Sequence, residues 1–370
     1  MKTDVLIVGA GLAGTGLAFN LARQNVPVIV VDRMAHYPDA FRAEKIEAAQ
    51  AAMMRKLHMF EHRVPVACPI GVITTYRAGV TSLFDTVDQY GITYGDTINS
   101  LRRNLLTDVD LRVGDVLSIS NSDDVQVALL KGGATIRARL VVLATGGSGK
   151  LLKSVGMARR YHRSLHSLNV GFDIERTNGE PFSFAGFNYY LKQTTDGVDY
   201  VTVFRIGART RVNVYTQWST HDARLRLMRD QPREQMIRHF PDLEANIGKF
   251  NVCSKIQFFQ TRCYRVHNVE QPGVVVIGDE FQSVGPSTGT GLSKVTTDID
   301  VLAHDLVPQW LSTPGMGRSK IAEYYDSPRK RECDEQSLMK WVSYRDAGST
   351  YVRLQWLRVE TKVKSWLRRW

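Results

Sequence analysis

The first residues of the chain combine a buried strand, a glycine-rich turn and a helix, and this arrangement constrains the fold more than any other feature. The segment TDVLIV (3–8) is apolar and β-branched, which is typical of a strand in a buried parallel sheet. Gly9, Gly11 and Gly14 follow as G-x-G-x-x-G, then a helical stretch and the strand VPVIVVD, which ends at Asp32. This βαβ unit predicts an α/β fold with a Rossmann-like sheet.

The spacing within this unit predicts a dinucleotide site. Gly9 permits a tight turn, Gly11 lets the backbone approach a pyrophosphate, and Gly14 allows the helix to pack close to the strand. The helix N-terminus then presents its partial positive charge to the phosphates. Asp32, followed by Arg33, lies 18 residues after Gly14, near the spacing of an acid that binds ribose hydroxyls. The motif alone leaves NAD and FAD as alternatives.

A second strand, turn and helix occur near residue 280. The segment GVVVIGDE (273–280) is typical of a buried strand that ends in a turn at Asp279. After the turn, apolar residues recur every three or four positions, which predicts the buried face of a helix: Leu292, Val295, Ile299, Leu302 and Leu306. An aspartate at a strand end, followed by N–H groups at a helix start, suits a polyol and then a developing negative charge.

The two turns, in this order, resemble those of FAD-dependent monooxygenases of the aromatic-hydroxylase type, the p-hydroxybenzoate hydroxylase group. The resemblance implies that Asp279 binds the ribityl chain of FAD. It also implies that the second turn lines the isoalloxazine ring with Gly285, Pro286, Gly289, Thr290 and Gly291. One turn would then hold the pyrophosphate and the other the redox ring of the same FAD.

Two further stretches extend this resemblance. FRAEKIEAAQ (41–50) is similar to the segment whose arginine, here Arg42, approaches the FAD pyrophosphate, a task suited to the fixed fork of guanidinium donors. TINSLRRNLL (97–106) is similar to a later helix that contributes an arginine or glutamine to the cofactor. Arg102 or Arg103 can serve there, and Arg103 is taken as the candidate.

The resemblance implies an NAD(P)H-dependent monooxygenase that transfers oxygen from a flavin C4a-hydroperoxide to an aromatic or polyketide-like small molecule, with O2 as co-substrate. The chain departs from the family at the strand end Ala144-Thr145-Gly146, where the family has Ala-Asp-Gly with an aspartate linked to both FAD and NADPH; Ser148 and Lys150 lie nearby in sequence. An FAD-dependent reductase of the isoprenoid or geranylgeranyl type is the alternative. A halogenase is disfavoured because its Trp-x-Trp-x-Ile-Pro signature is absent. A non-enzymatic binder with an inherited fold is the third hypothesis.

The cofactor segments alternate with segments of a different pattern. We expect an FAD-binding domain at 1–70, 97–165 and 265–310, a substrate domain at 71–96 and 166–264, and C-terminal helices at 311–370. Residues 166–220 alternate apolar and polar side chains, and the pairs Asn178-Gly179 and Asp196-Gly197 suit hairpin turns, so the substrate domain is predicted to be an antiparallel sheet. No catalytic residue is assigned, and four side chains are candidates to face the substrate: Tyr189, Tyr190, Arg205 and Trp218.

Charge is concentrated at the C-terminal end of the chain. The net charge is +11, and residues 317–370 hold 13 lysines and arginines against 7 acids. Between Val352 and Trp370 apolar residues recur every three or four positions, with most basic residues off that stripe. This pattern predicts an amphipathic helix that packs on the protein itself, or contacts a membrane surface or a partner. No aromatic-and-basic motif of a nucleic-acid module accompanies it.

Cysteine usage and hydropathy suggest a cytoplasmic protein. The four cysteines are scattered and have no metal-ligand spacing, so reduced thiols and no metal site are expected. No apolar run approaches the roughly 18 residues of a membrane span. The apolar N-terminal run leads into a glycine turn, so we interpret it as a strand and not as a signal peptide.

Overall fold

The computed structural model describes residues 1–42, 44–60, 67–105 and 109–346, with the backbone alone at 163–166, 192–195 and 344–346. The predicted Trp- and Arg-rich helix at 351–370 lies outside these residues. The fold class is the expected one, an α/β chain with a Rossmann-like sheet, an antiparallel sheet and helices near the C-terminal end. The division into domains stays a prediction.

The strands and helices are numbered separately, each in chain order. The strands are β1 (Lys2–Val8), β2 (Val28–Asp32), β3 (Lys45–Ile46), β4 (Cys68–Pro69), β5 (Val72–Arg77), β6 (Val80–Asp85), β7 (Tyr90–Gly91), β8 (Val109–Val113), β9 (Val116–Ser120), β10 (Gln126–Leu130), β11 (Thr135–Leu143), β12 (Ala158–Arg176), β13 (Gly186–Thr195), β14 (Val198–Ile206), β15 (Arg209–Thr216), β16 (Phe250–Val252), β17 (Gln257–His267), β18 (Val274–Val276) and β19 (Gln282–Ser283). The α-helices are α1 (Leu12–Ala22), α2 (Ala48–Lys56), α3 (Tyr94–Arg103), α4 (Arg224–Asp230), α5 (Pro232–His239), α6 (Leu243–Ile247), α7 (Gly291–Asp300), α8 (Val307–Leu311), α9 (Arg318–Asp326) and α10 (Pro328–Asp346). Short 3₁₀ segments cover Leu152–Val155, Gly278–Glu280 and Pro286–Thr288, and a π-helical segment, Val301–Leu306, joins α7 to α8.

The first sheet carries the dinucleotide-binding architecture. Its strands run in the order β8-β2-β1-β11-β10-β9, and β18 pairs with the second half of β11. Strands β8, β2, β1, β11 and β18 are parallel, whereas β10 and β9 form an antiparallel extension. The apolar runs of β1, β2, β11 and β18 form the main core together with α1 and α7. The carboxyl ends of β1, β2 and β11 therefore meet at one edge, where ligands bind in open α/β sheets.

The second sheet is the predicted antiparallel one. Its order is β19-β17-β12-β15-β14-β13-β5-β6, and among these described strands β13 and β5 are the one parallel pair. Asp196 and Gly197, both with positive φ, form the predicted tight turn between β13 and β14. The predicted hairpin at Asn178-Gly179 is wrong. The turn lies between β12 and β13, but β12 pairs with β15, β17 and β16 and not with β13. The two strands on either side of the turn therefore do not form a hairpin.

The helix after the second glycine turn has the predicted apolar face. Leu292, Ile299 and Leu302 are buried, and Val295 and Leu306 are packed against the main core. A small third sheet has the strand order β3-β7-β4. In the chain, β3 directly precedes α2 and β7 directly precedes α3. Within the described ranges, no helix combines the length and the apolar character needed to cross a membrane.

Candidate functional site

The first glycine turn joins β1 to α1 and is shaped by close backbone contacts. A Cβ on Gly9 (φ 102°) would lie 2.5 Å from the carbonyl oxygen of Ala144, and one on Gly14 would lie 1.9 Å from the oxygen of Gly9. The Gly11 position differs, since no described atom lies within 4 Å of such a Cβ. No described side chain caps the first turn of α1. Its N–H groups and positive dipole end therefore suit an anion beside Gly11.

Asp32 stands at the carboxyl end of β2, beside this turn. Its Oδ2 accepts a hydrogen bond from Ala10 N at 2.6 Å and its Oδ1 accepts one from Met34 N at 2.8 Å. A cavity of about 240 Å³ lies beside the turn, and both Asp32 and Arg33 are on its wall. The aspartate thus braces the turn through backbone amides, and its partly exposed carboxylate faces the cavity. We call this space the turn-side cavity.

The structure places Arg102, and not Arg103, against this turn. Arg102 donates through Nε and Nη2 to the oxygen of Ala10, at 2.8 and 2.6 Å, and through Nη1 to the oxygen of Met34 at 2.8 Å. Its Nη2 also lies 3.3 Å from Asp32 Oδ2. Arg103 is exposed, because successive residues of α3 point about 100° apart and only one of the pair faces the sheet. Arg102 therefore fixes the turn and is not itself on the wall of the turn-side cavity.

Two adjoining cavities share Arg42, Tyr94 and Asp279 as lining residues. These side chains, with Leu12 and Val295, border both the turn-side cavity and a second cavity of about 280 Å³. Arg42 Nη1 lies 3.8 Å from Asp279 Oδ2, and its guanidinium stacks over the ring of Phe259 at 5.1 Å. Burial alone would lower the pKa of Arg42, but Tyr94, Tyr37 and Asp279 outweigh burial and raise it. A positive charge is therefore held at the junction.

The second cavity, which we call the sheet-side chamber, begins at the second glycine turn. Gly285, Pro286, Gly289 and Gly291 border the chamber, whereas Thr290 does not and its hydroxyl lies 2.8 Å from that of Thr288. Gly289 adopts a left-handed φ of 65°. The turn is tied to α2 by Gln50, whose Nε2 donates to the oxygen of Gly289 at 2.7 Å. Gly291, the first residue of α7, therefore lies on the wall of the sheet-side chamber.

Glu280 connects the second turn to the strand end where the family aspartate is replaced. The carboxylate is fully buried and accepts hydrogen bonds from Thr145 Oγ1 at 2.6 Å and Gly149 N at 3.0 Å, with Arg159 Nη2 at 3.0 Å. Burial raises the pKa of Glu280, and Thr145, Arg159 and Gly149 oppose this. Sequence reasoning missed Glu280 and Arg159. The only available signal was the second acid in GDE, directly after a buried strand.

A buried ionic cluster lies beneath α7. Lys330 Nζ contacts Asp298 Oδ1 at 2.9 Å and Asp334 Oδ2 at 3.0 Å, and Lys294 lies 3.8 Å from Asp334. Asp298 Oδ2 also accepts a hydrogen bond from Gly278 N at 2.8 Å. These four side chains, each at most 3% exposed, hold α10 and α7 under the second turn. Sequence reasoning missed them because charges four residues apart on a helix usually indicate a solvated face.

The opposite wall of the sheet-side chamber is one face of the antiparallel sheet. Neighbouring strands place the following side chains in one row: Phe259, Asn169, Tyr215, Tyr200 and Tyr190. The rings of Tyr215 and Tyr200 are stacked with centroids 4.3 Å apart, and those of Tyr200 and Tyr190 with centroids 5.1 Å apart. The adjacent row is polar and consists of Asn213, Thr202 and Asn188. We call these the aromatic row and the polar row.

The candidates proposed for the substrate side are divided between the two faces of this sheet. Of the four, Tyr190 borders the chamber. Tyr189 points to the other face and packs against Phe240, with ring centroids 5.2 Å apart. Trp218 is buried in that same core and donates through Nε1 to the oxygen of Asp196, whereas Arg205 is exposed. Side chains alternate between the faces of a strand, so Tyr189 and Tyr190 cannot both reach the chamber.

The residues present fit FAD. The open backbone at Gly11 and the uncapped start of α1 suit the pyrophosphate, and Arg42 supplies a cation beside it. The side chain of Asp279 is 45% exposed, so its carboxylate is accessible to the hydroxyl groups of a polyol. The chamber behind Asp279 borders the second turn, where a planar ring would lie. Among the described residues, no cluster of three or more His, Cys, Asp or Glu side chains has the arrangement of a metal site.

Comparisons with known proteins agree with this geometry. The model of the family described as "FAD binding domain" matches residues 2–332. The 3-demethoxyubiquinol 3-hydroxylase of Escherichia coli K12 is 24% identical over 360 residues, which cover 88% of this chain and 86% of that protein. Squalene monooxygenase of Mus musculus is 24% identical over 327 residues, which cover 80% of this chain and 53% of that protein.

Solved structures show the same fold. The p-nitrophenol 4-monooxygenase PnpA of Pseudomonas putida DLL-E4 superposes with a TM-score of 0.75 at 17% identity, covering 98% of this chain and 93% of that one. The flavin-dependent brominase Bmp2 also gives a TM-score of 0.75, at 15% identity and with full coverage of both chains. At these identities the likeness concerns the fold alone.

Proposed function

This chain belongs to the FAD binding domain family and is an FAD-dependent oxidoreductase of the monooxygenase type, and from that premise we propose that it hydroxylates an aromatic or polyketide-like small molecule with NAD(P)H as reductant. The observation that carries the substrate class is the aromatic row across the sheet-side chamber from the second glycine turn. Stacked rings offer a flat apolar surface on which another ring can stack. A substrate ring there lies in the same chamber as the second turn.

The residues at the turns would hold FAD, as the glycine spacing predicted for the first turn and the resemblance implied for Arg42 and the second turn. Gly9, Gly11 and Gly14 with the start of α1 would bind the pyrophosphate, with Arg42 beside it and Asp279 on the ribityl chain. Gly285, Pro286, Gly289 and Gly291 would border the isoalloxazine ring. When bound and reduced, FAD would supply the electrons that activate O2, and O2 itself would supply the transferred oxygen. The protein's own groups orient the ring of the substrate and keep water out of the chamber.

The substitution of threonine for the family aspartate has a local physical account. Thr145 Oγ1 donates to the buried Glu280, and Arg159 neutralises that carboxylate. An acidic group is therefore still present at this strand end, supplied by the second turn. We propose that reduction by NAD(P)H is retained with this arrangement.

The proposal is tested with the FAD-loaded chain, NADPH and isotopically labelled O2. The substrates are simple phenols and a prenylated quinol, and the products are analysed by mass spectrometry. The expected product carries one labelled oxygen, and NADPH consumption rises when that substrate is added. Bromination in the presence of bromide, saturation of a double bond, or no labelled product from any substrate would each contradict hydroxylation.

A matched pair of variants tests the aromatic row. Tyr190→Leu removes one ring from the row and is expected to raise KM for the ring substrate several-fold, while FAD content is unchanged. Tyr161→Leu removes an exposed ring outside the chamber and is expected to leave KM unchanged. Equal KM values for the two variants would contradict binding of the substrate on the aromatic row.

A further inference from the structure

Glu44 is a buried acid on the wall of the sheet-side chamber. It immediately precedes the strand pair of β3 and β7, and its own carbonyl oxygen accepts a hydrogen bond from Ile92 N at 2.8 Å. The residue is 6% exposed and borders the chamber on the side of the polar row. A buried carboxylate requires a partner for its charge, or it holds a proton.

The partner of Glu44 is shared with a second acid. Arg211 places its Nε 2.9 Å from Asp173 Oδ1, while its Nη2 lies 3.5 Å from Glu44 Oε1. Asp173 also has Arg209 at 3.7 Å, toward solvent. One buried guanidinium thus faces two buried carboxylates and is closer to Asp173. Asp173 has two arginines near it and the closer contact with Arg211, so Glu44 is the acid whose charge is less well balanced.

Glu44 has a free acceptor position. Its Oε2 is buried and has no hydrogen-bond partner among the described residues. Four more side-chain oxygens on the same wall of the chamber share this condition within the described part of the chain: Asn169 Oδ1, Thr202 Oγ1, Asn213 Oδ1 and Thr261 Oγ1. Buried polar atoms in native proteins are almost always hydrogen-bonded. These five oxygens on one wall are therefore available to hydrogen-bond donors that enter the chamber, whether water or a bound ligand.

We propose that Glu44 accepts the proton of a hydroxyl group on the substrate ring, and that the chamber selects rings bearing a hydrogen-bond donor; this inference rests on the proposed function. In this step the O–H bond of the ring hydroxyl breaks and the proton binds Oε2 of Glu44. The electron pair stays on the ring oxygen, which makes the ring more electron-rich toward oxygen transfer. The proton returns to the product or passes to solvent when the product leaves.

The charges around Glu44 set the pH at which this exchange occurs. Burial raises the pKa of Glu44 to about 7, Arg211 and a hydrogen bond from Asn213 oppose this, and Asp173 and Asp39 add to it. The other charged groups on the chamber wall are Arg42, Lys45, Glu47, Asp279 and Lys340. Above this pH Glu44 is ionised and is the stronger acceptor for a hydroxyl proton.

The test uses 4-methylphenol and its methyl ether, 4-methylanisole, in which a methyl group replaces the hydroxyl proton and removes the O–H donor. The phenol has a pKa of roughly 10, like tyrosine, so between about pH 5.5 and 8.5 the probe itself stays neutral. Equilibrium binding to the FAD-loaded chain is measured across this range. We expect the affinity for the phenol to rise about tenfold with a midpoint near 7, since a charge-assisted hydrogen bond replaces a neutral one, and the affinity for the ether to stay flat.

Variants separate Glu44 from other groups. Glu44→Gln keeps the shape but cannot ionise, so the pH dependence is expected to disappear, whereas the exposed control Glu175→Gln keeps it. Asp173→Asn frees Arg211 for Glu44 and is expected to move the midpoint to lower pH. This second variant keeps Glu44 itself and provides a test if Glu44→Gln fails to fold.

Three results would overturn the inference: an unchanged pH profile in Glu44→Gln, equal affinities of the wild type for phenol and ether, or no binding of 4-methylphenol at any pH. The proposed function can be overturned independently of this inference. Glu44-dependent binding without labelled product overturns hydroxylation alone, and labelled product with a pH profile insensitive to Glu44→Gln overturns only the role of Glu44.

Discussion

The indole ring of Trp341 lies directly on Gly285. A Cβ on Gly285 would fall 1.5 Å from Cζ3 of Trp341, so α10 packs on the second glycine turn with no room for any side chain between them. Gly285 has an ordinary φ of −62°, and the requirement for glycine is therefore one of space and not of backbone conformation. The helix that ends the described chain thus sets the position of the turn that borders the sheet-side chamber.

We expect Gly285→Ala to weaken FAD binding at least tenfold, because the added methyl group must displace Trp341 or the turn itself. FAD affinity is measured by quenching of flavin fluorescence. Gly147→Ala is the control, since no described atom lies within 4 Å of the new Cβ and its φ is not positive. Combining Gly285→Ala with Trp341→Val opens space and is expected to recover part of the affinity. Unchanged affinity in Gly285→Ala would contradict the tight contact.

Arg102 and Arg103 form a natural pair for a stability test. Arg102→Ala removes hydrogen bonds to three backbone carbonyls of the first turn and its flank, and we expect a loss of about 3 kcal/mol in the free energy of unfolding. Arg103→Ala changes an exposed side chain and is expected to alter stability by less than about 0.5 kcal/mol. Urea unfolding measures both. Similar losses in the two variants would show that Arg102 does not brace the turn.

The features that were predictable from sequence are those encoded over short stretches. A strand, a glycine turn and a helix follow one another directly around Gly9 to Gly14, so these elements and their order could be predicted without information from distant residues. The preference of the dipeptide Asp196-Gly197 for a tight hairpin turn is equally local. The Asn178-Gly179 pair has the same local chemistry, but the strand before it pairs with β15 and β17, which only the tertiary fold decides.

Contacts between distant segments were not predictable. Adjacent arginines on α3 differ only in which side of the helix they occupy, so sequence left Arg102 and Arg103 as alternatives. Glu280 meets Thr145 across 135 residues, and no local signal marks either as a partner. Lys330 and Asp334 have the spacing of a solvent-exposed ion pair, and only the packing of α10 on α7 buries them.

The buried cluster under α7 gives a third prediction. Lys330→Met leaves Asp298 and Asp334 short of a counter-charge, and we expect a loss of about 3–5 kcal/mol in unfolding free energy. Lys330→Met combined with Asp334→Leu removes a charge of each sign and is expected to recover much of that loss. Thermal and urea unfolding provide the measurement, with the exposed Lys131→Met as control. A loss under about 1 kcal/mol in the single variant would contradict the account.

The raised pKa of Glu44 also affects stability. Its folded-state pKa is about 7, against 4.5 in an unfolded chain, so the folded protein holds the proton more tightly. The resulting stabilisation is complete below about pH 4.5 and is lost as the pH rises through 7. Relative to wild type, Glu44→Gln is therefore expected to gain up to about 3 kcal/mol between pH 4.5 and 8. A constant difference between the two unfolding profiles would show that Glu44 does not titrate near neutrality.

The central claim is that the two glycine turns bind opposite ends of one FAD, and a titration of the flavin-free chain with FAD and with ADP tests it most directly. The account predicts one FAD per chain, bound far more tightly than ADP because ADP occupies only the turn-side cavity. It also predicts that Asp279→Ala weakens FAD several-fold and weakens ADP less, since Asp279 borders both cavities and ADP has no ribityl chain. Equal affinities for FAD and ADP, or no effect of Asp279→Ala on FAD binding, would contradict a single cofactor that spans both turns.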